Sequence, residues 1–325
     1  MDWSGLADRV LAGHAVSRNE ALSIVKAAND ELLSVLQAAY KIRSHYHGRK
    51  VKVHVLQNAK SGGCSEDCAF CSQSMKYNTG IAQYRLQTVD ELVQGAQNAY
   101  AMGAVTYCMV TATRGPSARD IETVCEATRQ IKEKYPLKIC ASLGILQPGQ
   151  AQKLYEAGVN RYNHNLETSS RYFPEIVSTH SFAARVDTIK QARQAGMEAC
   201  CGGIIGMGEE IDDWVDLALQ LRDLEVESIP VNFLDARSGT LLGDRLPLHP
   251  QVCLKVLAMF RFVHPSRDVR VAGGREAVLG PMQPLALYAA NSLFTNGYLT
   301  TPGQGNSKDY QIIQAAGFEA EVIRA

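Results

Sequence analysis

Three cysteines fall within eight residues, Cys64-x3-Cys68-x2-Cys71, inside the stretch SGGCSEDCAFCSQS. Three thiolates on one short loop suit three corners of an iron–sulfur cube and leave the fourth iron without a protein ligand. An open iron can chelate a small molecule through its amino and carboxylate groups and then pass it an electron. The alternatives for such a loop are a zinc knuckle or redox thiols. A structural zinc is usually closed by a fourth ligand, and His54 lies on the wrong side of the predicted strand that precedes the loop. Six further cysteines (Cys108, Cys125, Cys140, Cys200, Cys201 and Cys253) bring the count to nine. The N-terminus, MDWSGLADRV, lacks the basic-then-apolar order of a secretion signal, so an odd cysteine count points to metal ligation or catalysis in a cytoplasmic protein rather than to a disulfide framework.

A second stretch, GGIIGMGE, places Gly202, Ile204, Gly206 and Glu209 at the end of a predicted strand. Glycines there let the backbone approach a ligand closely, and Ile204 could cover a flat ring. Such glycine-rich strand ends are common, so this motif gains meaning only beside the cysteine loop.

The elements that must hold these residues follow from the pattern of the 325-residue chain. Residues 1–48 read as helices, with capping-box spacing at Ser17 and Glu20 and apolar residues on one face. From residue 49 to 325, short apolar runs alternate with amphipathic stretches; the runs are 51–57, 105–110, 137–143, 159–164, 198–204, 228–234, 268–272 and 291–295. Strand–helix alternation implies parallel strands with crossovers. Eight units predict an α/β fold, a closed (βα)8 TIM-type barrel with an N-terminal helical cap and a C-terminal closing segment. The site is then expected at the C-terminal ends of the strands, where the cysteine loop falls. The 33 basic and 33 acidic side chains cancel, which argues against nucleic acid or a membrane surface as the main partner. No apolar run approaches the roughly 18 residues of a membrane span.

The cysteine spacing, with Phe70 just before the third cysteine and the GGIIGMGE stretch, resembles the radical S-adenosylmethionine superfamily. That resemblance implies a [4Fe–4S] cluster on Cys64, Cys68 and Cys71. Such a cluster cleaves S-adenosylmethionine and releases a 5′-deoxyadenosyl radical. Within the superfamily, the blocks CSEDCAFCSQS, YNTG, YCMV, KICASLG, YNHNLETS, SIPVNFL, VRVAGGRE and YLTTPGQ are similar to the biotin synthase family over about residues 50–318. Members insert sulfur between two saturated carbons of dethiobiotin, with the sulfur drawn from an auxiliary iron–sulfur cluster. The resemblance implies Cys108, Cys140, Cys200 and Arg270 as its ligands, each within a predicted strand. Small core cysteines are the plainer reading of Cys108 and Cys140 taken alone.

Cys201 departs from the pattern, since many members carry serine there. Neighbouring strand residues face opposite ways, but Gly202 and Gly203 would permit a bulge. If one turned Cys201 inward, a fourth thiolate would allow a centre larger than [2Fe–2S]. Cys125 and Cys253 fall in outer predicted helices and receive no role.

The resemblance further implies Phe70 and Ile204 beside the adenine and Asn165 and Glu167 on the ribose hydroxyls. Members commonly have aspartate at the Glu167 position, so that contact would reach one methylene further. Arg185 is expected on the methionyl carboxylate, unless it only bridges neighbouring helices. Asn163, Asn165 and Asn232 are expected on the ureido ring of dethiobiotin, a neutral urea that suits amides, and Thr300 and Thr301 on its tail carboxylate. His164 reads as a satisfied core histidine. A flavodoxin or ferredoxin electron donor and a homodimer are family expectations. Another radical enzyme of similar barrel should lack the auxiliary cysteines with Arg270. An iron–sulfur carrier would need neither Asn165 and Glu167 nor Thr300 and Thr301.

Overall fold

The structure, a computed structural model, describes residues 1–321 and 323; Val322, Arg324 and Ala325 of the predicted closing segment lie outside the described residues. The alternating apolar runs form parallel strands β1 (Lys50–Lys60), β2 (Thr106–Thr111), β3 (Lys138–Ser142), β4 (Arg161–Asn163), β5 (Glu198–Cys200), β6 (Gly203–Ile205), β7 (Ser228–Phe233), β8 (Asp268–Val271) and β9 (Ser292–Thr295). Pairing runs β1-β2-β3-β4-β5-β7-β8-β9, and β9 pairs back onto β1, so the sheet closes. β6 resumes the stave of β5 beside β7. The result is the expected barrel of eight staves, with a short outer strand β10 (Glu319–Ala320) on the start of β1.

The one predicted strand that the structure divides is 198–204. Backbone packing explains the break: a Cβ on Gly202 would overlap the Pro230 carbonyl oxygen, and one on Gly203 the Glu167 carbonyl oxygen. Only glycine fits that approach, and the Gly202 N–H donates to Asn165 Oδ1 at 3.1 Å instead of to a ladder.

Side chains alternate as a strand requires. On β2, Thr106, Cys108 and Val110 face the lumen, while Tyr107 and Met109 are buried in the outer apolar layer. Around the barrel, amphipathic helices begin with designed caps; Thr88 and Ser117 each accept from the N–H three residues on, opening helices Val89–Ala101 and Ala118–Lys134. The N-terminal residues form α1 (Trp3–Leu11), α2 (Arg18–Val25) and α3 (Leu32–His47), and the Ser17–Glu20 capping box is present at α2. Leu6, Val10, Ile24, Val35 and Ile42 of these helices share one core with the helix Pro250–Val263. Burying each such side chain stabilises the fold by up to about 1.5–3 kcal/mol. Among the described residues, no helix is long and apolar enough to cross a membrane.

Candidate active site

The barrel encloses a cavity of about 290 Å³ that runs from the loops at the strand C-termini down to the floor. At the mouth, β1 leads into the cysteine loop, which folds on itself. Cys64 N–H donates to the Gln73 carbonyl at 3.1 Å, Cys71 N–H to the Cys68 carbonyl at 2.9 Å and Ala69 N–H to the Ile176 carbonyl at 2.9 Å. The acids of the loop fasten it to residues 178–180. Asp67 accepts from Ser178 N–H at 3.0 Å and from Thr179 Oγ1 at 3.0 Å, bonds that outweigh the burial pushing its carboxyl up and hold it at about 2. Glu66 accepts from Thr179 Oγ1 at 2.5 Å and pairs with His180.

Cys64, Cys68 and Cys71 all line the cavity. Burial raises each thiol, Cys71 to about 11. Burial thus disfavours the free thiolates, and a bound metal would have to supply the charge that stabilises them. Three soft sulfur donors from one loop facing one cavity suit a cluster held by three corners.

Beside the loop, Phe70 and Ile204 join an apolar patch formed by Cys68, Ala69, Phe173, Met207 and Leu234. Glu167 sits in the left-handed region at φ 70° and bridges to Gly203, which brings its carboxylate under the mouth. Its oxygens lie 3.4 Å from Asn165 Nδ2 and 3.3 Å from an Arg185 nitrogen. Burial, the largest influence, nevertheless raises the Glu167 carboxyl above its ordinary value.

Arg185 does more than bridge helices. It donates to the Asn165 carbonyl at 2.7 Å and to His180 Nε2 at 2.9 Å, and lies 3.9 Å from Cys68 Sγ. A guanidinium can only donate, so His180 accepts through Nε2 and carries its proton on Nδ1, which donates to Glu66. The cysteine loop and Arg185 are thus joined through one histidine. Sequence reasoning did not single out His180 or Glu66, although Glu66 lies between the first two cysteines.

Midway down, Asn163 Oδ1 accepts from Ser142 Oγ at 3.2 Å, and its amide nitrogen lies 3.2 Å from Cys200 Sγ. Asn232 donates to the Gly203 carbonyl at 3.0 Å and accepts from Gly273 N–H at 2.9 Å, so one hydrogen and one lone pair of its amide remain for a ligand. Thr300 shares a 2.8 Å hydrogen bond with Ser72, and Thr301 Oγ1 accepts from Arg237 at 2.7 Å. His164 differs from the expectation. It lines the cavity, and its buried Nε2 has no partner, because β4 ends at Asn163 and strict alternation stops with it.

At the floor, the register of the staves brings distant residues together. Cys108 is the direct partner of Cys140, Asn163 of Cys200, and Pro230 of Arg270. One Arg270 nitrogen points to Cys200 Sγ at 3.8 Å; the other donates to Ser228 Oγ at 3.0 Å and to His54 Nε2 at 3.3 Å. His54 therefore corrects the expectation that it lies on the wrong side of its strand: it faces the lumen with Leu56, while Val53 and Val55 pack outward, and it meets the floor rather than the cysteine loop. The proximity of Cys108 raises the Cys140 thiol, and that of Cys140 raises Cys200, with burial adding to both. Cys108, Cys140, Cys200 and Arg270 all line the cavity, and none of these cysteines is in a disulfide. Soft, unpaired, buried thiols around an arginine fit an iron–sulfur centre. Cys201 is not brought to them. It is fully buried in the outer apolar layer that contains Leu166, Ile205 and Val231. The break at residues 201–202 redirects the strand without turning this side chain into the barrel.

Comparison with known proteins adds to this geometry. Residues 59–221 match the model of the radical SAM superfamily, and residues 230–319 match that of the biotin and thiamin synthesis associated domain. The chain is 62% identical to a biotin synthase of Salinibacter ruber, across 99% of this chain and 89% of that protein. It is 47% identical to a biotin synthase of Bacillus subtilis, across 99% and 96%. Among solved structures it is similar to a methylornithine synthase (TM-score 0.86, 20% identity, 97% of both chains). A FeFe-hydrogenase maturase from Carboxydothermus hydrogenoformans is also similar (TM-score 0.84, 14% identity, 99% of this chain and 80% of the other). These two likenesses concern the barrel fold alone, whereas the sequence relatives extend over nearly every residue of the site. The chain belongs to the biotin synthase family within the radical S-adenosylmethionine superfamily.

Proposed function

We propose that this barrel inserts sulfur between two saturated carbons of dethiobiotin, with S-adenosylmethionine held at the mouth and an auxiliary iron–sulfur cluster at the floor. The observation that carries the reading is the arrangement along one cavity: a three-thiol loop above, amides in the middle, three thiols and an arginine below. When bound, the upper [4Fe–4S] cluster supplies the electron that cleaves the sulfonium, and the lower cluster supplies sulfur.

The chain's own residues perform the positioning. Cys64, Cys68 and Cys71 would hold the upper cluster, and with three protein ligands for four irons it would be able to take the amino and carboxylate groups of S-adenosylmethionine. Arg185, fixed by the Asn165 carbonyl and His180, meets that carboxylate with its remaining N–H groups. Asn165 and Glu167 hold the ribose hydroxyls, while Phe70 and Ile204 cover the adenine. Asn163 and the unused valences of Asn232 hold the ureido ring, and Thr300 and Thr301 donate to the tail carboxylate, with Arg237 adding charge behind Thr301. A buried, narrow cavity keeps water from a reactive carbon radical.

Cys108, Cys140, Cys200 and Arg270 would hold a [2Fe–2S] centre, and the position of Cys201 in the outer layer supports the smaller cluster. Nine free cysteines suit a reducing cytoplasm, with a flavodoxin or ferredoxin as electron donor and a homodimer as the assembly. The test is anaerobic incubation of the fully clustered protein with reductant, S-adenosylmethionine and dethiobiotin. The reading expects both 5′-deoxyadenosine and biotin; absence of both from such a preparation overturns it.

A further inference from the structure

Three residues that line the cavity floor each keep one buried nitrogen without a hydrogen-bond partner: His54 Nδ1, Arg161 NH1 and Arg270 Nε. A buried donor left without a partner is costly, and three in one place call for an explanation. Their chemistry is uniform. Arg161 and Arg270 can only donate. His54 Nε2 faces an Arg270 nitrogen at 3.3 Å, so it must be the acceptor, and the proton of the neutral ring lies on Nδ1. All three orphans are therefore N–H donors.

The rest of Arg161 is accounted for. Its Nε and NH2 donate to Glu198 Oε2 at 2.9 and 2.5 Å across β4 and β5, and NH1 lies 3.8 Å from Asp268 Oδ2, beyond hydrogen-bond reach. Asp268 itself accepts from Asn291 at 2.6 Å and faces Lys52 at 3.5 Å. Arg161 is 6% exposed and is the direct strand partner of Cys140. His54, 1% exposed, lies edge-on to Phe294, the ring over which Arg270 also sits. An interstrand bridge alone would not leave the third guanidinium nitrogen buried and unused.

We infer that His54 and Arg161 are positioning residues whose N–H groups form a donor floor for the sulfur atoms of the auxiliary cluster. This inference rests on the auxiliary-cluster reading above and adds to the four ligands two groups that the family resemblance did not assign. Donors directed at cluster sulfur stabilise the reduced, more negative state, so they raise its reduction potential. The second arginine also adds a positive charge to a site of thiolates and sulfide, offset in part by Glu198 and Asp268.

The experiment uses the reconstituted full-length protein. Pulsed EPR of the wild type, with histidine labelled by ¹⁵N and the auxiliary cluster reduced by one electron, should show a weak nitrogen coupling from one histidine. That coupling should vanish in His54→Gln. Spectroelectrochemistry should show His54→Phe and Arg161→Met more negative than wild type, each by a tenfold or larger change in the reduced-to-oxidised ratio, about 59 mV for one electron. His54→Gln, which keeps an N–H donor, and Arg161→Lys, which keeps the charge, should recover much of the shift. A purely interstrand role for Arg161 would leave the potential unmoved. Absence of any histidine coupling in the wild type, or unchanged potentials in His54→Phe and Arg161→Met, overturns the donor floor while leaving the cluster intact. If a variant fails to assemble, the wild-type coupling still decides. A wild-type protein with no second cluster refutes the underlying reading instead, and the two failures are told apart by the iron spectrum.

Discussion

The two ends of the cavity hold thiols in opposite ways. At the mouth, three cysteines come from one eight-residue loop whose shape depends on its own backbone bonds and on Asp67 and Glu66 clamping it to residues 178–180. At the floor, three cysteines and an arginine come from four separate staves, and only the register of a closed sheet brings them together. A loop can adjust around whatever its thiols hold. A barrel floor is rigid, so the placement of its thiols is as precise as the strand pairing. The contrast matches the tasks proposed for them: a changing ligand above, a fixed sulfur store below.

Substitutions that separate the two ends should have the largest effects. Cys68→Ala should abolish both 5′-deoxyadenosine and biotin, a loss beyond the roughly 10–100-fold seen when only an outer partner of a metal site is removed. Cys200→Ala should keep 5′-deoxyadenosine formation and lose biotin, as product analysis by chromatography would record. Equal loss of both products in both variants would erase the distinction between mouth and floor.

A smaller effect is expected at Arg185. Replacement by lysine loses the planar fork that bonds Asn165 and His180 at once. Loss of one or two charge-assisted bonds should raise the KM for S-adenosylmethionine by about 10–100-fold, with kcat changing far less. An unchanged KM would return Arg185 to a helix-bridging role.

Smaller still is Cys201→Ser. Because the side chain packs in the outer apolar layer, iron content and activity should stay within about twofold, while a buried, unpartnered hydroxyl lowers stability by about 1–3 kcal/mol. Iron loss equal to that of Cys200→Ala would show that Cys201 reaches the cluster.

The smallest effect concerns the clamp of the upper loop. Asp67 is held down to about 2, so the stability it contributes is present above its ordinary carboxylate range and is lost as pH falls through 2. Asp67→Asn should therefore melt below wild type at pH 7, and the gap should close as pH approaches 2. The group is only half-buried, so solvent screening keeps the difference to about 1 kcal/mol or less. A gap that stays constant with pH would mean that the clamp does not depend on the charge.

Local signals explain what could be read before the fold. The mouth motif is contiguous, and alternation of apolar residues marked all eight staves, because both are properties of neighbours along the chain. Cross-sheet facts were not legible. Arg161 meets Cys140 only through the β3–β4 register, and His180 meets Glu66 across 114 positions. His164 was misread for a related reason: β4 stops one residue before it, so alternation no longer assigned its direction. The glycines at 202 and 203 were read as permitting a bulge within one strand; that the strand divides there and leaves Cys201 outward depends on the Pro230 and Glu167 carbonyls that crowd them.

The most direct test of two unlike metal sites in one cavity is Mössbauer spectroscopy of the anaerobically reconstituted ⁵⁷Fe protein, with and without S-adenosylmethionine. The account predicts about six iron atoms per chain, two-thirds in a cubane and one-third in a [2Fe–2S] centre, with S-adenosylmethionine altering one iron of the cubane alone. A single cluster type, or a cubane whose four irons all ignore the added molecule, would contradict it.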